Sequence, residues 1–356
     1  MQKKSHYFAL DGLRGLAAIS VLLYHLGHWQ GQPWLATNAS LAVDFFFALS
    51  GYVLCIAYSE KLGSGMSVAV FIKIRLIRLM PLIVVATLMS ATYLVARVLL
   101  LGDKQINLEE VGMASLFGML LIPIFSATKS IGGPQVFPLN GPQYTLFLEV
   151  AVNVFWAATK RWETLWTTIG LAVVGYSLIW IYGAGGDEVG TFWTGIPRVL
   201  GSYYAGAAVA HAQQRWPQLR DPRHAKWFWP LLLGTAVLFY WPSNLPPAID
   251  WMWSVLISPL ILITGSAVRL EGHIQRVARG LGELSYPLYA LHYPVFVWVN
   301  GAYQQVLGKK DFAVGTALTV PAAIAGAWIL LKWFDEPVRK LLTPSHSGKS
   351  RRSANA

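Results

Sequence analysis

Cysteine is nearly absent. Cys55 is the single one in 356 residues, which excludes an internal disulfide and a cysteine metal cluster. Charge is scarce as well: Asp, Glu, Lys and Arg together make up 13% of the chain, about half the share of a soluble domain. The sequence has no HExxH, no Walker loop and no dinucleotide fingerprint. It has no internal repeat, and its histidines show no spacing typical of a metal site. Zinc proteases, P-loop enzymes and Rossmann oxidoreductases are thereby set aside.

Apolar residues make up the balance. They account for 55% of the chain, Trp occurs 16 times and the mean hydropathy is +0.47. Eleven apolar segments lie near 12–29, 38–58, 79–101, 111–126, 143–159, 164–182, 191–211, 227–241, 250–268, 285–303 and 313–334. Several approach the 20 or so residues that a span requires, and none alternates as a barrel strand does. The fold class expected is all-α, a polytopic membrane bundle whose backbone is satisfied within its helices. The net charge of +11 reads as topology and lipid contact, not as nucleic-acid binding, because the basic residues fall in short connections and the tail. Met1 to His6 followed by apolar chain mimics a signal peptide, but no small-residue cleavage site follows, so the segment reads as an uncleaved first span.

Positive-inside logic puts the basic stretches in the cytoplasm. Counting inward from two cytoplasmic ends leaves 102–110 and 127–142 on the same, outer side. The segment 111–126 between them cannot span, and it is also short. About ten spans remain, with 111–126 dipping in or lying along the outer surface. Lys309-Lys310 falls outside, against the rule.

Ionisable residues inside the spans are functional candidates, since burial in lipid is costly. Arg14 and His25 are eleven residues apart, which returns to nearly the same helix face roughly 16 Å along the axis. A neutral imidazole at His25 could take a proton from a hydroxyl group. Arg14 is a donor with Asp11 at i−3 to orient it. Arg75 and Arg78 share a face and suit a polyphosphate. Asp44 and Glu149 could each orient His25 or pair with Arg14. Arg198 lacks an evident partner. His292 reads as structural, and Ser50 and Cys55 are nucleophiles by type only.

Leu10-Asp11-Gly12-Leu13-Arg14-Gly15-Leu16-Ala17-Ala18 followed by His25 resembles the opening signature of the membrane-bound acyltransferase 3 family. Asp44 to Tyr52, Arg75-Leu76-Ile77-Arg78 and Gln143 to Glu149 resemble its next motifs. Leu288 to Pro294 and Glu336-Pro337-Val338-Arg339 resemble the C-terminal ones. The matches occur in order along the chain. The resemblance implies a multi-pass inner-membrane acyltransferase of about ten spans; its domain is expected over 1–343, and the Ser, Gly, Lys, Arg and Asn composition after Thr343 makes 344–356 a disordered basic cytoplasmic tail.

It also implies an O-acyltransferase using acetyl-CoA or another acyl-CoA, with no metal. The acceptor would be a carbohydrate or glycolipid hydroxyl at the outer side of the membrane. In that family acceptors include lipopolysaccharide O-antigen, exopolysaccharides, antibiotics and lipid-linked sugars. His25, Arg14, Glu149 and Asp44 are the catalytic candidates under this reading. Arg75 and Arg78, with Arg14, would bind the cofactor. The competing class is a transporter or flippase of a glycolipid, which shares buried charges and many spans but commonly carries internal repeats.

Overall fold

The computed structural model describes residues 6–126 and 129–343. The tail expected over 344–356 lies outside them. Among the described residues the chain is all-helical, and its single extended contact is a bridge between Gln135 and Glu188. Thirteen α-helices follow in order: α1 (Phe8–Trp29), α2 (Ala42–Gly63), α3 (Val68–Leu101), α4 (Leu108–Met119), α5 (Gln143–Ala158), α6 (Leu165–Tyr182), α7 (Gly195–Arg215), α8 (Ala225–Phe239), α9 (Pro247–Met252), α10 (Ser258–Ala267), α11 (Gly272–Leu307), α12 (Phe312–Leu330) and α13 (Glu336–Leu342). A π-helical turn joins α9 to α10, and another joins α12 to α13.

By length and composition, five stretches among the described residues can cross a membrane: Phe8–Trp29, Ala39–Gly63, Leu165–Tyr182, Pro247–Ala267 and Phe312–Leu342. The first two are mostly buried by other helices. Leu165–Tyr182 and Phe312–Leu342 have only 22% and 28% of their most apolar stretch buried within the protein. Trp166, Trp180, Trp328 and Trp333 on them are exposed. A helix that is apolar all round and bare on its outer side is solvated by lipid, not by water.

Several helices outrun the apolar segments that announce them. α3 starts at the Ser67 cap, whose hydroxyl accepts from Val70 N at 3.3 Å, so Arg75 and Arg78 stand within the helix. α11 runs 36 residues, through Pro287 and Pro294. Proline at 294 leaves the Ala290 carbonyl without its helical donor. Asn140 Nδ2 donates to that oxygen at 3.1 Å, a substitute that membrane helices with internal proline require. α4 has 12 residues and rises about 18 Å, short of a span. It begins at Asn107, whose side chain accepts from Glu109 N, and packs on α3.

Two close helix pairs position the polar residues. α1 packs along α11, and α2 along α7. Both pairs depend on glycine. A Cβ at Gly51 would stand 1.9 Å from Tyr203 O, and one at Gly206 would stand 1.8 Å from Ala48 O. Small residues let backbones approach this closely where no hydrophobic drive brings helices together in lipid. The Gly12 and Gly15 of the opening motif serve α1 in the same way, against Ala278 and Leu281 of α11. Lys310, in the α11–α12 connection, donates to the Trp29 carbonyl at the end of α1 at 2.6 Å. It thus satisfies an orphan carbonyl at a helix C-terminus.

Candidate active site

Two cavities lie between the helices, one at each end of the Arg14–His25 stripe. The larger, about 570 Å3, is lined by His25, Asp44, Asp187, Arg198, Asp250 and several aromatic rings. The smaller, about 370 Å3, is lined by Arg14, Ser50, Arg75, Arg78, Glu149, Ser285 and the apolar faces of α2 and α3. Val43 and Tyr289 belong to the walls of both. The Tyr289 hydroxyl is 2.6 Å from Thr145 Oγ1. Tyr289 therefore stands in a thin partition between the chamber containing the histidine and the chamber containing the arginines.

In the arginine chamber, Arg14 Nε donates to Ser285 Oγ at 2.8 Å and Nη2 to Gly282 O at 2.6 Å. Asp11 is 3.3 Å from the same guanidinium, the orientation expected from the i−3 spacing. Gly282 has no side chain to keep Asp11 away: a Cβ there would be 2.6 Å from the Asp11 Cβ. The opening motif can now be read physically. Its glycines bring α1 onto α11, and its arginine then docks on the Gly282 carbonyl and the Ser285 hydroxyl of that helix.

Arg75 pairs with Glu149 at 2.5 Å, and Ser50 Oγ donates to the same carboxylate at 2.9 Å. Arg75 is buried, whereas Arg78, one turn on, is exposed along the wall. The chamber therefore offers three guanidinium groups against one interior carboxylate, with Asp11 behind Arg14. Such a surplus of planar donors favours an anionic ligand carrying phosphate.

In the histidine chamber, Asp44 is held by Arg198. The guanidinium donates through Nε and Nη2 at 3.0 and 2.8 Å, and Ser202 Oγ adds a bond at 3.1 Å. Arg198 thereby has its partner, and the pair is buried on both sides. Glu149 belongs to Arg75. Neither acid pairs with Arg14 or with His25 among the described residues, so the two roles left open for them by sequence resolve into support of two other arginines.

The ring of His25 instead stacks on Trp29, with centroids 5.1 Å apart, and lies 5.2 Å from the ring of His292. His292 is buried, and its Nδ1 is 2.7 Å from Tyr289 O. A carbonyl can only accept, so Nδ1 carries the proton and Nε2 is a bare acceptor. That Nε2 is buried without a hydrogen-bond partner. Sequence reading treats His292 as structural; the geometry brings it beside His25. Tyr289, one turn before it, forms the partition.

Asp187 and Asp250 are also missed by sequence reading, because one lies in a loop and the other at a helix start, far apart in the chain. Both line the histidine chamber. Burial raises the Asp187 carboxyl above its usual range. Trp180 and Trp251 stand at the same wall, 5.7 Å apart and edge to face. Acids and hydroxyls beside aromatic faces form a lining suited to a polyhydroxylated ligand.

Residues 7–332 match the acyltransferase domain of the acyltransferase 3 family. The chain belongs to that family. It is 34% identical over 170 residues to "Protein 2 in picA locus" of Rhizobium radiobacter, covering 44% of this chain and 82% of that protein. It is 25% identical over 333 residues to proteins named "Putative O-acetyltransferase" in Staphylococcus aureus strains COL and N315. That match takes in 85% of this chain, and the chain spans about half, 52%, of the staphylococcal proteins' length. No solved structure matches the chain. Family and lipid-facing helices together make this a membrane acyltransferase.

Proposed function

We propose that this acyltransferase moves an acyl group, acetyl above all, from acyl-CoA to a hydroxyl of a carbohydrate-containing acceptor on the opposite side of the membrane. About ten spans with both ends cytoplasmic would place Arg75 and Arg78 at the inner surface and His25 toward the outside. Coenzyme A would enter the arginine chamber, with its phosphates on Arg75 and Arg78 and its arm alongside Arg14. The acceptor would enter the histidine chamber. The observation that carries this reading is the pair of chambers on one helix, divided by Tyr289 and Val43.

The chemistry follows as direct transfer. The thioester reaches the partition. His25 takes the proton of the acceptor hydroxyl as its oxygen attacks the thioester carbonyl. The carbon–sulfur bond breaks, and the coenzyme A thiolate leaves into the arginine chamber. His25 gives up its proton to solvent or to the departing sulfur. Direct transfer needs no acyl-serine; Ser50, the nucleophile candidate lining the arginine chamber, donates to Glu149. Arg14, anchored on α11, holds the arm or stabilises developing charge.

Sealed vesicles test the sidedness. Labelled acetyl-CoA supplied only on the face bearing the basic loops should deliver label to glycan enclosed on the other face. Delivery to glycan only on the donor side would contradict the reading. A flippase would move glycolipid without thioester cleavage and would leave acetyl-CoA intact.

A further inference from the structure

Away from both chambers, Cys55 of α2, Glu163 of the α5–α6 turn and His211 of α7 converge. We propose that these three residues bind a divalent cation of the zinc type. One ligand atom from each lies within 4.8 Å of the others. His211 Nε2 is 3.1 Å from Glu163 Oε1, and Cys55 Sγ is 3.8 Å from the same oxygen. Zinc holds nitrogen and oxygen at about 2.0–2.2 Å and sulfur at about 2.3 Å in a tetrahedron, so its ligand atoms stand roughly 3.3–3.8 Å apart. The nitrogen–oxygen and sulfur–oxygen separations already approach those edges.

The hydrogen bonding points the same way. His211 Nε2 stands against both the Cys55 thiol and the Glu163 carboxylate, 3.1 Å from Oε1. A nitrogen, a sulfur and a carboxylate oxygen converging from three elements are the donor set that a shared cation requires. Glu163 Oε1 also accepts from Trp156 Nε1 at 2.8 Å, while Lys160 Nζ and Ser59 Oγ hold Oε2. Ligating carboxylates are oriented by such outer bonds. Cys55 itself is fully buried and lines neither chamber, so it has no path to a thioester. A thiolate, an imidazole and a carboxylate together select a borderline metal over magnesium or calcium. The ion would tie α2 and α7, which carry Asp44 and Arg198, to the α5–α6 turn.

The test uses the full chain in detergent, purified without a polyhistidine tag, stripped by a chelator and then offered zinc or cobalt. The expected result is about one zinc retained per chain and, with cobalt, a thiolate charge-transfer band in the near ultraviolet. Cys55→Ser should remove the band. His211→Gln should weaken zinc binding by more than tenfold, since loss of a supporting bond alone costs about 10–100-fold. A monodisperse elution profile identifies folded variants. If neither variant folds, the intact chain's cobalt spectrum decides. A folded intact chain that shows no thiolate band, or holds no more zinc than Cys55→Ser, overturns the proposal and leaves Lys160, Glu163 and His211 as an ordinary ion-pair network.

Discussion

Arg75 and Glu149 form an ion pair 2.5 Å long in the wall of the arginine chamber, with Ser50 bonded to the same carboxylate. Glu149 is thus a holder of an arginine and not a partner of His25. Glu149→Gln should therefore act on donor binding. KM for acetyl-CoA is expected to rise about tenfold, about 1.4 kcal/mol of binding, while the pH profile keeps its shape. Steady-state kinetics in membranes measures both. A changed pH profile with unchanged KM would restore Glu149 as a group that orients His25.

Asp44 and Arg198 are the second buried pair. Removing one partner leaves a buried charge, which costs about 3–5 kcal/mol, whereas replacing both with apolar residues is often neutral. Asp44→Leu alone should lower the melting temperature of the protein in detergent, and the double variant with Arg198→Met should recover most of the loss. Because both residues line the acceptor chamber, the recovered double variant should still transfer no acyl group. A recovered activity would make the pair purely structural.

Tyr289 separates the chambers. Tyr289→Ala should open the partition to water and uncouple thioester cleavage from transfer. The ratio of free coenzyme A released to acceptor acylated is expected to rise well above one. An unchanged ratio would mean that the thioester is not exposed at this wall.

Asp187 gives a pH dependence of stability. Its carboxyl is raised by burial above the unfolded value, so its share of stability is fully present below the unfolded pKa. That share is lost as pH rises through the folded pKa. At neutral pH the charged form is a burden, and Asp187→Asn should raise the melting temperature at pH 7 while having little effect near pH 3. Thermal unfolding at the two pH values measures it.

Much of this could be read from the chain. The apolar runs foretell nearly every long helix, because a span must satisfy its backbone locally. The Arg14–His25 stripe follows from helical periodicity, and the ends of that stripe do face two chambers. The shortness of α4 is also legible, since the apolar segment 111–126 is itself short of a span. The pairings are not legible. Asp44 finds Arg198 across 154 residues and Arg75 finds Glu149 across 74, and nothing local selects between those partners and His25. The same is true of His292 beside His25. A lone histidine near a proline reads as structural until α11 is laid against α1, an approach set by glycines whose role appears only once both helices are present. Asp187 and Asp250 sit on connections, where an acid is ordinary.

The account rests above all on His25 as the group that takes the acceptor proton. The decisive measurement is transfer of labelled acetyl from acetyl-CoA to envelope glycan by membranes containing the intact chain or His25→Ala, each with acetyl-CoA binding measured alongside. The account predicts that His25→Ala still binds acetyl-CoA and loses transfer by at least about 100-fold, the low end of what a general base contributes. Equal transfer by both chains would contradict it and would move the proton transfer away from His25.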